Sequence, residues 1–216
     1  MPLNLSVGDG DFTPFLKYNA KAGRFYARPD GGAEEVEIVN PTLVFDMANI
    51  KTGWLYFPEG AGPEKVWDPS LEQQAPKPSG KFKRGFEVMV YSNGIIPGTT
   101  QKLGLREFVS TAMNVNKVVS QMWDDYRAGL TTNSGSLPIF SCNGVKPING
   151  AYGVNYEPLF VLKGWIPRSR VPEFDEHETS TPAPARPKPT LAVASGGGGR
   201  GPSENPADTF DDNIPF

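Results

Sequence analysis

The stretch Leu105–Ala128, LREFVSTAMNVNKVVSQMWDDYRA, interrupts a chain that otherwise reads as strands. Its apolar side chains fall at 105, 108, 109, 112, 115, 119, 122 and 126, a spacing that lays one stripe along a helix, and Gly129 supplies the stop. Asn114 and Asn116 are weak helix formers and mark where the helix would bend. Asp124 and Asp125 are adjacent and do not face each other on a helix, so they read as a solvated end and not as metal ligands.

Upstream, Glu35–Phe57 reads as one or two long strands: Leu43, Phe45 and Met47 alternate, and Trp54-Leu55-Tyr56-Phe57 is an aromatic run closed by Pro58. Lys81–Tyr91 is a further strand, ended by Ser92-Asn93-Gly94, and the Pro- and Gly-rich segment 58–80 between them reads as a long loop. Downstream, Leu137–Cys142 and Leu159–Ile166 are two more strands. This order matches a mainly β domain of the OB-fold type, a five-stranded Greek-key barrel with one helix between strands 3 and 4. Phe12–Tyr18 and Arg24–Arg28 add N-terminal strands or a hairpin.

The 216 residues carry a net charge of −3, which taken whole argues against a nucleic-acid partner. Divided, the chain says otherwise. Residues 1–172 hold 18 Lys and Arg against 16 Asp and Glu, and residues 173–216 hold 3 against 8. Composition changes at the same place, to a Pro/Ala/Thr-rich run and then a Gly-rich one, which cannot bury enough surface to offset the entropy of ordering. The expected organisation is a domain at 1–172, a disordered linker at 173–208 and an acidic tip at 209–216. A single cysteine, Cys142, gives no internal disulfide and no thiol set for zinc. The single histidine, His177, sits in the polar tail. No stretch approaches the ~20 apolar residues that span a bilayer, and no leader-like segment opens the chain, so a cytoplasmic protein without a membrane partner is expected.

Cations and rings interleave near the start: Lys17, Tyr18, Lys21, Arg24 and Tyr26, with Phe15, Phe25 and Arg28 among them. Single-stranded nucleic acid needs this pairing, because cations track phosphates and every base offers a flat face to an aromatic ring, worth ~1–3 kcal/mol per base. The competing reading puts Phe15, Phe25 and Tyr26 in a core and leaves the lysines as solvated charges. Lys51, Trp54 and Tyr56 repeat the pattern, followed by Lys65 and Trp67. Strand alternation puts Trp54 and Tyr56 on one face and Leu55 and Phe57 on the other; Trp and Tyr tolerate partial wetting, so theirs is the expected ligand face. Trp67, in the loop, reads as a plug that pins it or else as a stacking side chain. The run Lys81-Phe82-Lys83-Arg84-Gly85-Phe86 is the densest basic cluster, with Lys81 and Lys83 on one face and Phe82, Arg84 and Phe86 on the other. Its competing reading is an edge strand guarded by lysines. Trp123 and Trp165 read as core. The sequence contains no phosphate loop and no Gly-x-Ser-x-Gly; it offers no catalytic residues and implies no cofactor.

The chain closes on Asp211-Asp212-Asn213-Ile214-Pro215-Phe216, which resembles the acidic tip of bacterial single-stranded DNA-binding proteins, Asp-Asp-Asp-Ile-Pro-Phe after a Gly/Pro-rich linker. Asn213 replaces the third aspartate. The opening Asp11-Phe12-Thr13-Pro14-Phe15-Leu16-Lys17-Tyr18-Asn19-Ala20-Lys21 is similar to the helix-destabilising proteins of tailed bacteriophages. The resemblance implies a single-stranded DNA-binding protein, not an enzyme, working in a bacterial or phage-infected cytoplasm during replication, recombination and repair. It also implies that the tip docks on replication, recombination and repair proteins: Phe216 brings its ring and terminal carboxylate, Ile214 and Pro215 flank it, and Asp211 and Asp212 meet basic residues at the pocket rim. Two other readings stay open, an adaptor or decoy that shows the tip without binding DNA, and a nuclease assembled from distant carboxylates. The sequence leaves homo-oligomerisation open.

Overall fold

The computed structural model describes residues 14–175 apart from 33, 61, 151 and 152. The linker and the tip, with Asp211, Asp212, Ile214, Pro215 and Phe216, lie outside the described residues.

The helix is shorter than its apolar stripe. α1 spans Met113–Gly129, and Lys102–Ser110 ahead of it is a strand, so Leu105, Phe108 and Val109 belong to the sheet. Both faces of that strand are covered, Phe108 by the main core and Leu105 by a second apolar cluster. Covering both faces erases the period-2 alternation that marks a strand, and the residues merge with the helical stripe beyond them. Ala112, extended at φ −68° and ψ 124°, separates the two elements. Val115, Val119, Met122 and Tyr126 are the buried face of α1. Asn114 and Asn116 leave the helix continuous: their side-chain amides donate to Tyr156 O at 2.6 Å and Arg84 O at 2.9 Å, tying α1 to the sheet on both sides.

The strands are β1 (Phe15–Asn19), β2 (Arg24–Ala27), β3 (Val36–Ile38), β4 (Thr42–Phe45), β5 (Lys51–Tyr56), β6 (Glu64–Trp67), β7 (Lys83–Ile95), β8 (Lys102–Ser110), β9 (Ser136–Gly150) and β10 (Gly153–Pro167). They form one sheet in the order β10-β9-β4-β7-β8-β1-β2-β3, curled into an open half-barrel, with β5 and β6 joined to β7 off this path. Neighbours are antiparallel except β1 and β8, which are parallel. Where one or two long strands are expected over Glu35–Phe57 there are three short ones, separated by Asn40 at φ +45° before Pro41 and by a 3-10 turn at Met47–Asn49. The segment 58–80 is not wholly loop, since it contains β6. The last two strands form a hairpin with fifteen residues on each side; beyond Cys142 much of β9 is exposed, and without a buried face it carries no apolar alternation to read.

The core lies inside the curl, where Phe45, Phe108 and Phe140 are fully buried. Their rings meet edge to face, Phe45 on Phe140 at 5.6 Å and Phe86 on Phe108 at 5.3 Å. Each such ring contributes ~1.5–3 kcal/mol by leaving water. Gly129 ends α1 directly against the Trp165 ring, where a side chain would collide. The second cluster, on the opposite face of the sheet, buries Val44, Leu137, Val171 and Phe174 against Tyr91, so packing continues just past residue 172. Among the described residues no helix is long and apolar enough to cross a membrane.

Candidate nucleic-acid interface

β5 lies between β6 and β7; β5 and β6 leave the main path of the sheet and form a lobe with the first half of β7. Two facing glycines let the lobe close. Gly53 pairs with Gly85; a side chain at the first would strike Val66 O and Trp67, and at the second Ser110 O and Leu55. The register puts Trp54 opposite Arg84 and Val66, and Leu55 opposite Lys65 and Lys83. Residues opposite one another share a face, so Trp54, Tyr56 and Arg84 are on one side and Leu55, Lys65 and Lys83 on the other. Leu55 is buried and Trp54 and Tyr56 are half-buried, as the alternation of the strand predicts.

Three rings in the lobe lie under cations. Trp54 has Lys77 at 5.4 Å and Arg84 at 5.3 Å; Tyr56 has Lys81 at 5.8 Å; Trp67 has Lys51 at 5.8 Å and Lys65 at 5.7 Å. Trp54 Nε1 donates to Ala75 O at 2.8 Å and so pins the segment after β6, while Phe82 packs on Tyr56 at 5.7 Å. Trp67 sits on β6 and not in a loop, so it is a strand residue whose ring covers Gly53.

The cations differ in what else holds them. Arg84 grips Asp68 with two nitrogens, at 2.8 and 2.6 Å, and the same carboxylate accepts from the Thr52 hydroxyl at 2.6 Å and the Ala75 N–H at 2.8 Å. The Arg84 guanidinium, helped by Thr52 and Ala75 and opposed by burial, holds the Asp68 carboxyl well below the usual range. Arg84 is therefore largely neutralised and sets the geometry of the Trp54 face. Lys65 reaches between Glu87 and Glu107, and Lys51 pairs with Glu87 at 3.1 Å. Burial, then the proximity of Glu87, pushes the Glu107 carboxyl up to about 7; burial opposes the ionisation of Glu87 as well, but hydrogen bonds with Glu107 and Lys65 hold it down. Lys77 and Lys81 have no carboxylate within ion-pair distance among the described residues.

The N-terminal candidates do not join this group. Lys17 pairs with Glu35 at 3.5 Å and Arg24 with Glu37 at 2.8 Å across the hairpin of β1, β2 and β3. Tyr26, half-buried, stands between Lys17 and Glu37 in register. Lys21 is exposed in the turn after β1, its N–H bonded to Asn19 Oδ1. Tyr18 is corrected from a base-contacting ring to a core one: it is 9% exposed, packs on Phe25 at 4.6 Å and donates its hydroxyl to Tyr156 O at 3.0 Å. The lobe thus holds Trp54, Tyr56 and Arg84 on one face and Lys51 and Lys83 on the other, with Lys81 just ahead of β7, and leaves Lys17, Tyr18, Lys21, Arg24 and Tyr26 on the β1–β2 hairpin. Sequence reasoning missed Lys77 and Asp68. Pro76-Lys77-Pro78 was the available signal for the first, since flanking prolines restrict the backbone and hold a side chain out. Asp68 had none.

Comparison with protein-family models, curated proteins and solved structures finds no match to this chain.

Proposed function

We propose that this protein binds single-stranded DNA without regard to sequence, through the lobe of β5, β6 and β7, and protects it during replication, recombination and repair in the cytoplasm. The observation that supports this reading most directly is the pair Trp54 and Tyr56 on one face of the lobe, each ring within 6 Å of a lysine, with Lys77 and Lys81 unopposed by carboxylates among the described residues; Trp67 lies under Lys51 and Lys65 on the other face. Rings of this kind stack on any base, and unpaired lysines exchange their counterions for phosphates. The acidic tip, through Phe216 and the aspartates before it, recruits partner proteins.

In this reading the domain is an elaborated OB-fold. β4 and β5 together act as its first strand, β7 and β8 as the second and third, α1 as the crossover helix, and β9 and β10 as the last two. The pairings β4–β7, β7–β8, β4–β9 and β9–β10, with α1 between β8 and β9, support that correspondence. β1, β2 and β3 are then additions, with β1 laid parallel beside β8.

Filter binding of oligonucleotides of several lengths to the full chain is the direct test. Lys77→Ala/Lys81→Ala should weaken binding and reduce the slope of log affinity against log salt by about 0.7 for each lysine that meets a phosphate. A wild-type chain that retains no oligonucleotide at low salt refutes the proposal, and a tip that still captures partners would then make it an adaptor.

A further inference from the structure

At the base of the lobe, between β5, β7 and α1, a cleft of about 310 Å³ opens to solvent. Its size is at the small end of ligand pockets, ~300–1,000 Å³, enough for one flat ring system with its sugar and too small for a stretch of chain. Phe86, Val119 and Trp123 form apolar walls; Arg84, Asn116 and Ser120 supply polar groups. Phe86 and Val119 are otherwise buried, so the cleft is a gap in the packing of α1 against the sheet and not a surface dimple.

Two features give the cleft a ligand chemistry. Asn116 donates its Nδ2 to Arg84 O at 2.9 Å, while its Oδ1 is buried with no hydrogen-bond partner among the described residues, an unsatisfied acceptor. Arg84, which forms part of the cleft, also lies over the Trp54 ring at 5.3 Å, so the cleft continues the aromatic face of the lobe. We infer that the cleft is a nucleobase slot: one base of a bound strand leaves the stack at Trp54, enters between Phe86 and Trp123, and presents an N–H of its edge to the Asn116 carboxamide. Every base carries such an N–H, and Ser120 at the mouth can donate or accept, so the slot holds a base without demanding one identity.

The slot rests on the proposed DNA-binding reading, and the test separates the two. The full chain and its Ser120→Leu variant, which fills the mouth from an exposed helix position, are compared on oligothymidylate and on an abasic strand of equal length. The slot predicts that Ser120→Leu loses about tenfold in affinity for oligothymidylate, the scale of one base contact, and nothing for the abasic strand. Equal affinity of wild type and variant for oligothymidylate overturns the slot but leaves the DNA-binding reading standing. No binding of either strand by wild type overturns both. A measurement on unmodified protein guards against a variant that does not fold: an oligonucleotide carrying 5-iodouracil, irradiated in complex with the wild-type chain, should form its adduct at Trp123. Adducts confined to Trp54, Tyr56 or Trp67 overturn the slot and place bases on the lobe alone.

Discussion

The β5–β6–β7 lobe and the β1–β2–β3 hairpin are built from the same residue types, and the structure gives them opposite characters. In the hairpin, Lys17 and Arg24 each face a glutamate, and Tyr18 is sealed in the core by Phe25 and Tyr156. In the lobe, Lys77 and Lys81 face rings, and the Asp68 carboxylate is taken by Arg84. A cation next to an aromatic residue in sequence is thus no guarantee of a binding surface. What decides is the side chain that reaches the cation in space: Glu35 and Glu37 close the hairpin to an anion, and rings leave the lobe open to one.

Replacing a ring and its cation in each region would break this contrast most sharply. Tyr56→Ala/Lys81→Ala should lower affinity for single-stranded DNA by about tenfold or more, while Lys17→Ala/Arg24→Ala stays within about twofold, measured by filter binding at one salt concentration. Equal losses from both pairs would erase the distinction. The two arginine ion pairs differ next in stability. Asp68→Ala leaves Arg84 facing a half-buried void and should cost about 2 kcal/mol, read from urea unfolding, whereas Glu37→Ala breaks an exposed pair and should cost under about 0.5 kcal/mol. Because the Asp68 value is depressed in the folded state, its contribution is present at neutral pH and is lost as pH falls below the ordinary carboxylate range.

Glu107 runs the other way. Its folded value, near 7, exceeds that of an unfolded chain, so the folded state keeps a proton that the unfolded state has released, and stability falls as pH rises towards 7. Glu107→Gln should flatten the melting temperature between pH 5 and pH 8 relative to wild type; a parallel pair of profiles would show that Lys65 fully offsets the charge. The smallest effect belongs to the tail. A tail that competed with phosphate for Lys77 and Lys81 would weaken binding, so on the proposed function deleting residues 209–216 should tighten it by about twofold at low salt and leave it unchanged at high salt.

Much of this was legible before any coordinates. The Trp54/Tyr56 face opposed to Leu55 and the buried stripe Val115, Val119, Met122 and Tyr126 both follow from spacing, because each has one wet and one dry side. Leu105 and Phe108 carry a helical spacing because their strand is dry on both sides, and the β9–β10 hairpin shows only part of its length in the sequence because much of it is wet on both. Periodicity reports a contrast between faces; where neither face differs from the other it reports nothing.

The sequence by itself determined the mainly β character, the one long helix, the acidic C-terminal composition and the local mixing of cations with rings, since these depend on residues close in the chain. Only the tertiary structure decided which cations remain available. Asp68 and Arg84, Lys17 and Glu35, and Lys65 and Glu107 are brought together by strand pairing and the curl of the sheet. Electrostatic neutralisation depends on distance in space, and separation along the chain does not encode it.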